Sequence, residues 1–299
     1  MKHPIKSISA STIAATLGLS WEGPDVTVSG VSPFPPDDRN SLCFFGKPDG
    51  GEGVLPCECV VIARADVQAR LTAAGATVIV STNPKYDFCR FFDLVHEPAD
   101  GGVHPSAQIG AGVMLAERVA IGPGCVLDGD IHIGNGTRIG ANVVLRNAVR
   151  IGKNVTMRNG GVIGEDAFSF GFSDPDHTMA DAIRFPCFGG VVISDDVEIG
   201  NNCVISRGTF RDTFIGKGVR INDLAHIGNE VHVDERAIIT AHTDISARVR
   251  IGKGCWIGQS ASVRQGLTIG DGATVGMGAV VITDVADGSV AMGVPARKR

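Results

Sequence analysis

A six-residue apolar period runs through two thirds of this chain and excludes most folds open to a 299-residue protein. Ile109, Leu115, Ile121, Leu127, Ile133, Ile139, Leu145, Ile151, Met157 and Ile163 recur at every sixth position. A second run keeps the same step: Ile215, Ile221, Ile227, Val233, Ile239, Ile245, Ile251, Ile257, Val263, Ile269, Val275 and Val281. Four places after many anchors stands a small residue, such as Ala225, Ala237, Thr243, Cys255, Ala261, Ala273 or Ala279. Glycine often follows the anchor directly, as at Gly216, Gly228, Gly252, Gly258, Gly270 and Gly276. A period of six fits neither the 3.6 of a helix nor the 2 of an ordinary strand. It is the mark of a hexapeptide-repeat solenoid, a parallel β-helix. Each hexad supplies one short flat face and a turn, three faces close a coil, and coils stack at roughly 4.8 Å. The anchors then point inward and form one continuous core.

Two places break the rhythm. The pattern lapses between Ile163 and Ile193 and then resumes in frame. The lapse contains Phe168, Phe170, Phe172, Phe185 and Phe188, which predicts a loop over 166–189 that leaves the solenoid as a lid or a subunit contact. Between Ile205 and Ile215 the register slips around Arg207-Gly208.

Residues 1–98 carry a different grammar. The spacing predicts helices over 9–17, 66–74 and 86–96, and strands over 26–31, 59–63 and 77–80. This is a small α/β domain, followed by a linker at 98–102 and the solenoid over 99–299.

Composition narrows the functions. Glycine at 40 residues, with aromatics at 5%, suits many tight turns, and the absence of a three-residue glycine period excludes collagen. A net charge of −5 with no internal basic run excludes nucleic acid as a partner. No apolar stretch is long enough to span a membrane, and no apolar run follows Met1–Lys6, so the expected location is cytoplasmic. Eight cysteines are scattered, and Cys57-Glu58-Cys59 lacks both zinc spacing and a second pair. They read as reduced thiols, with no metal and no bound cofactor expected.

The hexad run resembles the left-handed β-helix acyltransferases. Within them the chain resembles the UDP-3-O-(3-hydroxyacyl)glucosamine N-acyltransferases of lipid A and lipopolysaccharide synthesis. Gly164-Glu165-Asp166-Ala167-Phe168-Ser169-Phe170 is similar to the family's GADGFGY, and Val197-Glu198-Ile199-Gly200 also matches. Ser206-Arg207-Gly208 is similar to its DRG, and Ile215–Asp223 to its IGxGxKIDN. Phe44 and Pro48 fall in its uracil-contacting FxxNPxY, with Lys47 in place of Asn and Gly50 in place of Tyr, and Asn83-Pro84 matches too. The resemblance implies an α/β uridine-binding domain joined to a left-handed parallel β-helix. It implies a homotrimer, which would bury the 166–189 loop and place each site between two subunits. It also implies acyl transfer from acyl carrier protein or acyl-CoA to the amine of a sugar nucleotide. Phe44, Lys47 and Pro48 would then line the nucleotide site.

The sequence departs from the family at the chemistry. The family's catalytic His falls at Asn229, and a second family His falls at Gly266. A carboxamide cannot take a proton at neutral pH. The readings left open are a substitute base at His226 or His242, catalysis by positioning alone, or a sugar-nucleotide-binding protein without activity. Asp244 stands near His242 as an orienting carboxylate, and His232 is a lesser candidate. Gly258 and Gly276 are candidates for backbone oxyanion donors, and Arg297 for a donor phosphate. The segment Asp287–Arg297 resembles acetyl-CoA-dependent sugar and serine acetyltransferases, which keeps a shorter acyl donor open. A γ-carbonic-anhydrase-like zinc enzyme would share the fold, but its ligand spacing is not evident.

Overall fold

A computed structural model describes residues 3–36, 38–46, 58–95, 101–173 and 182–298. The chain divides into two compact units, Met1–Pro98 and Ala99–Arg299.

The first unit alternates strands and helices: β1 (His3–Ser9), α1 (Ala10–Leu17), β2 (Trp21–Glu22), β3 (Thr27–Val31), β4 (Ser41–Phe45), β5 (Val60–Ala63), α2 (Ala65–Ala73), β6 (Thr77–Val80) and α3 (Pro84–Val95). The sheet order is β1-β3-β4-β5-β6-β2. The inner pairs β3–β4, β4–β5 and β5–β6 are parallel, and the flanking pairs β1–β3 and β2–β6 are antiparallel. β5 is buried along its whole length, as a strand covered on both faces must be. Ala10, Ile13 and Phe91 place α1 and α3 over one face, and Leu71 places α2 over the other. α1 begins where Ser9 Oγ accepts from Thr12 N and ends at left-handed Gly18. The predicted helices and strands are all present. β1, β2 and β4 are additions: β1 is a polar, bulged edge strand with no clean alternation, β2 is only two residues long, and β4 is a short run with no periodicity of its own.

The second unit is a parallel β-helix with three sheets. The first face begins at Gly102–Val103 and includes Arg220–Ile221, Ile238–Ile239 and Trp256–Ile257. The second includes Val204–Ile205, His226–Ile227 and Asp244–Ile245. The third includes Thr213–Ile215, His232–Val233 and Arg250–Ile251. Ile205, Ile215, Ile227, Ile239 and Ile245 are fully buried in one core that runs along the solenoid. The small residues after the anchors, such as Ala225, Ala237 and Ala261, are buried at the corners. Most corners are four residues long with the third in left-handed conformation, occupied by Leu224, Glu230, Arg236 and His242 among others.

Both interruptions turn out to be built structures. Within the loop predicted over 166–189, Phe170–Phe172 and Ala182–Arg184 pair as an antiparallel hairpin. The slip after Ile205 is a longer corner, 206–212, that returns the chain to Thr213 on the third face.

Candidate active site

Both excursions leave from the corner between the second and third faces, on consecutive coils. The first spans the gap from Ile163 to Val191, the second from Ile205 to Thr213. Stacking of coils therefore brings them together. The rings of Phe188 and Phe210 stack with centroids 6.1 Å apart, and Phe185 meets Phe210 edge-on at 5.7 Å. Phe188 N donates to Thr209 O at 2.8 Å. Arg207, only 13% exposed, ties the loops by donating Nε–H to Gly189 O at 2.6 Å while its other end lies 3.7 Å from Asp166. Gly208 has no substitute: a Cβ there would lie 1.5 Å from Arg211 O. Further out, Arg184 lies over the rings of Phe168 and Phe170.

One coil later the same corner carries Gly228-Asn229-Glu230. Glu230 accepts from Thr209 Oγ1 at 2.6 Å, Phe210 N at 2.8 Å and Arg211 N at 3.2 Å. Its own N–H donates to Thr213 Oγ1 at 2.9 Å. Burial opposes the Glu230 carboxylate, but these donors and the positive charge of Arg248 outweigh it and hold its pKa below the ordinary value. Glu230 thus latches the aromatic loop onto this corner. Asn229 is 9% exposed, its backbone O accepts from Arg248 N, and its carboxamide finds no partner among the described residues.

His226 sits on the second face of this coil, half-exposed, between Val204 and Asp244 in the adjoining coils. Its Nδ1 lies 2.7 Å from Asp244 Oδ1. The carboxylate that the sequence associates with His242 therefore belongs to His226. His242 occupies the left-handed position of a different corner, between the first and second faces, with an exposed side chain. His232 lies on the third face, stacked on Phe214 at 4.7 Å, with Nε2 3.1 Å from Asp234.

Two hexapeptide-repeat families match the solenoid: bacterial transferase hexapeptide (six repeats) over residues 248–283, and hexapeptide repeat of succinyl-transferase over 130–165. The UDP-3-O-acylglucosamine N-acyltransferase of Neisseria meningitidis serogroup B is 41% identical over 254 residues, covering 78% of this chain and 71% of that protein. This chain belongs to the UDP-3-O-acylglucosamine N-acyltransferase family. A Coxiella burnetii enzyme of the same name is 37% identical over 177 residues, 54% of this chain and 52% of that protein. Among solved structures, UDP-N-acetylglucosamine acyltransferase from Campylobacter jejuni matches with TM-score 0.58 at 20% identity, covering 66% of this chain and 74% of that one. LpxA from Acinetobacter baumannii gives 0.55 at 22%, covering 66% and 73%. These two carry the fold alone, a left-handed β-helix.

In this N-acyltransferase family member, the residues predicted for the site do not all converge. Gly258 N–H donates to Val275 O and Gly276 N–H to Ala291 O, both at 2.8 Å. Neither N–H is free for an oxyanion, which corrects that reading. A Cβ on Gly258 would lie 2.5 Å from Met277 N, so close approach of the coils accounts for the glycine. Arg297 is exposed on the last strand pair, opposite Met292. Phe44 is half-buried on β4 with its ring 5.1 Å from Phe88 of α3, packed against the core of the first unit. Its contact with Phe88 fixes the ring on one side, while Lys47 and Pro48 lie outside the described residues. The sequence reading passed over Glu230, Thr209 and Phe210. It also gave Asp244 to the wrong histidine. One coil is 18 residues here, so 226 plus 18 leads directly to 244.

Proposed function

We propose that this protein transfers an acyl group from an acyl thioester, on acyl carrier protein or CoA, to the amine of a UDP-linked 3-O-acylglucosamine. The observation that carries this reading is the 41% identity across 254 residues with an enzyme named for that reaction. The corner between the second and third faces supports it. There the Asn229 carboxamide, without a hydrogen-bond partner among the described residues, stands at the corner that carries the two aromatic loops, and such a group can hydrogen-bond a carbonyl or an amine. The thioester is a co-substrate, and the chemistry calls for no bound cofactor. The working unit is a homotrimer. Its support is an outward apolar column on the second face, Val126, Val144, Val162 and Val204, which a neighbouring subunit would cover. No helix among the described residues is long and apolar enough to cross a membrane. Buried free thiols such as Cys43, Cys125 and Cys255 suit a reducing, cytoplasmic setting.

The test is turnover of UDP-3-O-acylglucosamine with acyl carrier protein and CoA thioesters of graded length, read by mass spectrometry. Appearance of the N-acyl product is the expected result, and the best donor reports the chain length. Thioesters left intact in every combination would refute the reading.

A further inference from the structure

We propose that His226, held by Asp244, is the general base of this protein, with Asn229 beside it as a hydrogen-bond donor to the reacting carbonyl. This rests on the acyltransferase reading above. When an amine attacks a thioester, the nitrogen lone pair forms the C–N bond and the carbonyl pair moves to oxygen. The ammonium proton must then leave before the oxyanion collapses and the C–S bond breaks. A neutral imidazole nitrogen can take that proton and return it to the departing thiolate sulfur, so amide and thiol are the only products.

The described histidines differ in whether a nitrogen is available and how it is held. His132 and His232 on the third face turn Nε2 toward Asp130 and Asp234, at 3.2 and 3.1 Å. Those carboxylates also serve Arg150 and Arg250. His104 Nδ1 lies 2.9 Å from Ser106 Oγ, with no carboxylate. His242 has no hydrogen-bond or ionic partner among the described residues to fix its ring, and it stands at another corner. His226 alone meets a carboxylate through Nδ1, and Asp244 has no other ionic partner among the described residues. The Nδ1–H bond to Asp244 fixes the tautomer that leaves Nε2 with its lone pair facing outward. Val204 on the other side supplies no competing charge.

Position completes the argument. His226 and Asn229 are three residues apart on one coil, the histidine at the end of the second face and the carboxamide at the corner that follows. Asn229 is 9% exposed, and its carboxamide has no hydrogen-bond partner among the described residues, so its N–H groups are open to a ligand at the corner. The division of labour is a base on the face and a donor at the corner.

The experiment compares wild type, His226→Gln and Asp244→Asn, using UDP-3-O-acylglucosamine and the thioester that the wild type turns over. His226→Gln should lower kcat by roughly 10²–10⁴ with KM for the sugar nucleotide changed less than about threefold. Asp244→Asn should lose about 10–100-fold, the range in which an orienting partner acts. The fall of wild-type kcat on acidification should be absent from the residual activity of His226→Gln, because only a neutral imidazole accepts the proton. If His226→Gln is poorly folded, Asp244→Asn keeps the imidazole in place, and its altered pH profile carries the test alone. Equal kcat in His226→Gln and wild type overturns the proposal, as does a loss confined to KM. A wild type that turns over no thioester overturns the acyltransferase reading itself, and the dyad falls with it.

Discussion

Two corners of the solenoid start from the same four-residue turn and end with different capacities. Between the first and second faces, Thr240-Ala241-His242-Thr243 turns the chain in the minimum length, with Thr243 buried and His242 left-handed and exposed. Between the second and third faces, Gly228-Asn229-Glu230-Val231 uses the same geometry with Glu230 left-handed. The second corner is the one where preceding coils are lengthened, so its residues have something to touch: Glu230 holds the 206–212 loop, and that loop holds the aromatic hairpin region through Phe188. A repeat makes a core and leaves its corners interchangeable. An interruption of the repeat makes one corner unlike the rest, and the candidate site lies there.

The strongest way to probe the comparison is to remove an anchor next to each corner. Ile227→Ala and Ile239→Ala both delete fully buried side chains from the same core, so each should cost about 2–5 kcal/mol in denaturant unfolding. Equal losses support the view that both corners hang on one scaffold, and activity per folded molecule should drop only for Ile227→Ala. Arg207→Ala removes a charge-assisted bond to Gly189 O from a mostly buried position and should cost about 1.5–3 kcal/mol. Protease cleavage confined to 166–212 would locate that loss at the lengthened corner. Glu230→Gln is the mildest, about 1 kcal/mol at neutral pH, because the amide keeps one acceptor for Thr209 or Phe210. Its pH dependence is signed. The Glu230 pKa is lowered in the folded state, so its anionic contribution is complete above the ordinary glutamate value of about 4.3 and is lost as pH falls through the folded value. The stability gap between wild type and Glu230→Gln should therefore close on acidification below about pH 4.3. A gap that stays constant would remove the latch.

The solenoid was legible because its signal is redundant: every anchor repeats the information of its neighbours, and Ile109 through Val281 fix the faces without any single residue mattering. The α/β unit was legible where helices had 3.6 periodicity and strands were β-branched, and less so at β1, whose polar edge hides its pairing with β3. The site was harder because its contacts cross coils. His226 and Asp244 are neighbours only through the ladder, and Glu230 meets Thr209 only because an irregular corner folds back on the next one. Local sequence proximity gave Asp244 to His242, whereas parallel stacking gives it to His226. Glycine at Gly258 and Gly276 suggested open N–H groups, and the inter-coil hydrogen bonds consume both.

The most direct measurement sets the two corners against each other in one assay. kcat/KM for acyl transfer is determined for Asn229→Ala and His242→Asn, the latter because asparagine tolerates the left-handed backbone that His242 holds. With the chemistry at the corner between the second and third faces, Asn229→Ala should lose about 10²–10³, the usual worth of a hydrogen-bond donor to a developing oxyanion. His242→Asn should remain within about twofold of wild type, as a surface change away from the site does. A loss in His242→Asn that equals or exceeds the loss in Asn229→Ala would contradict this placement and move the chemistry to the other corner.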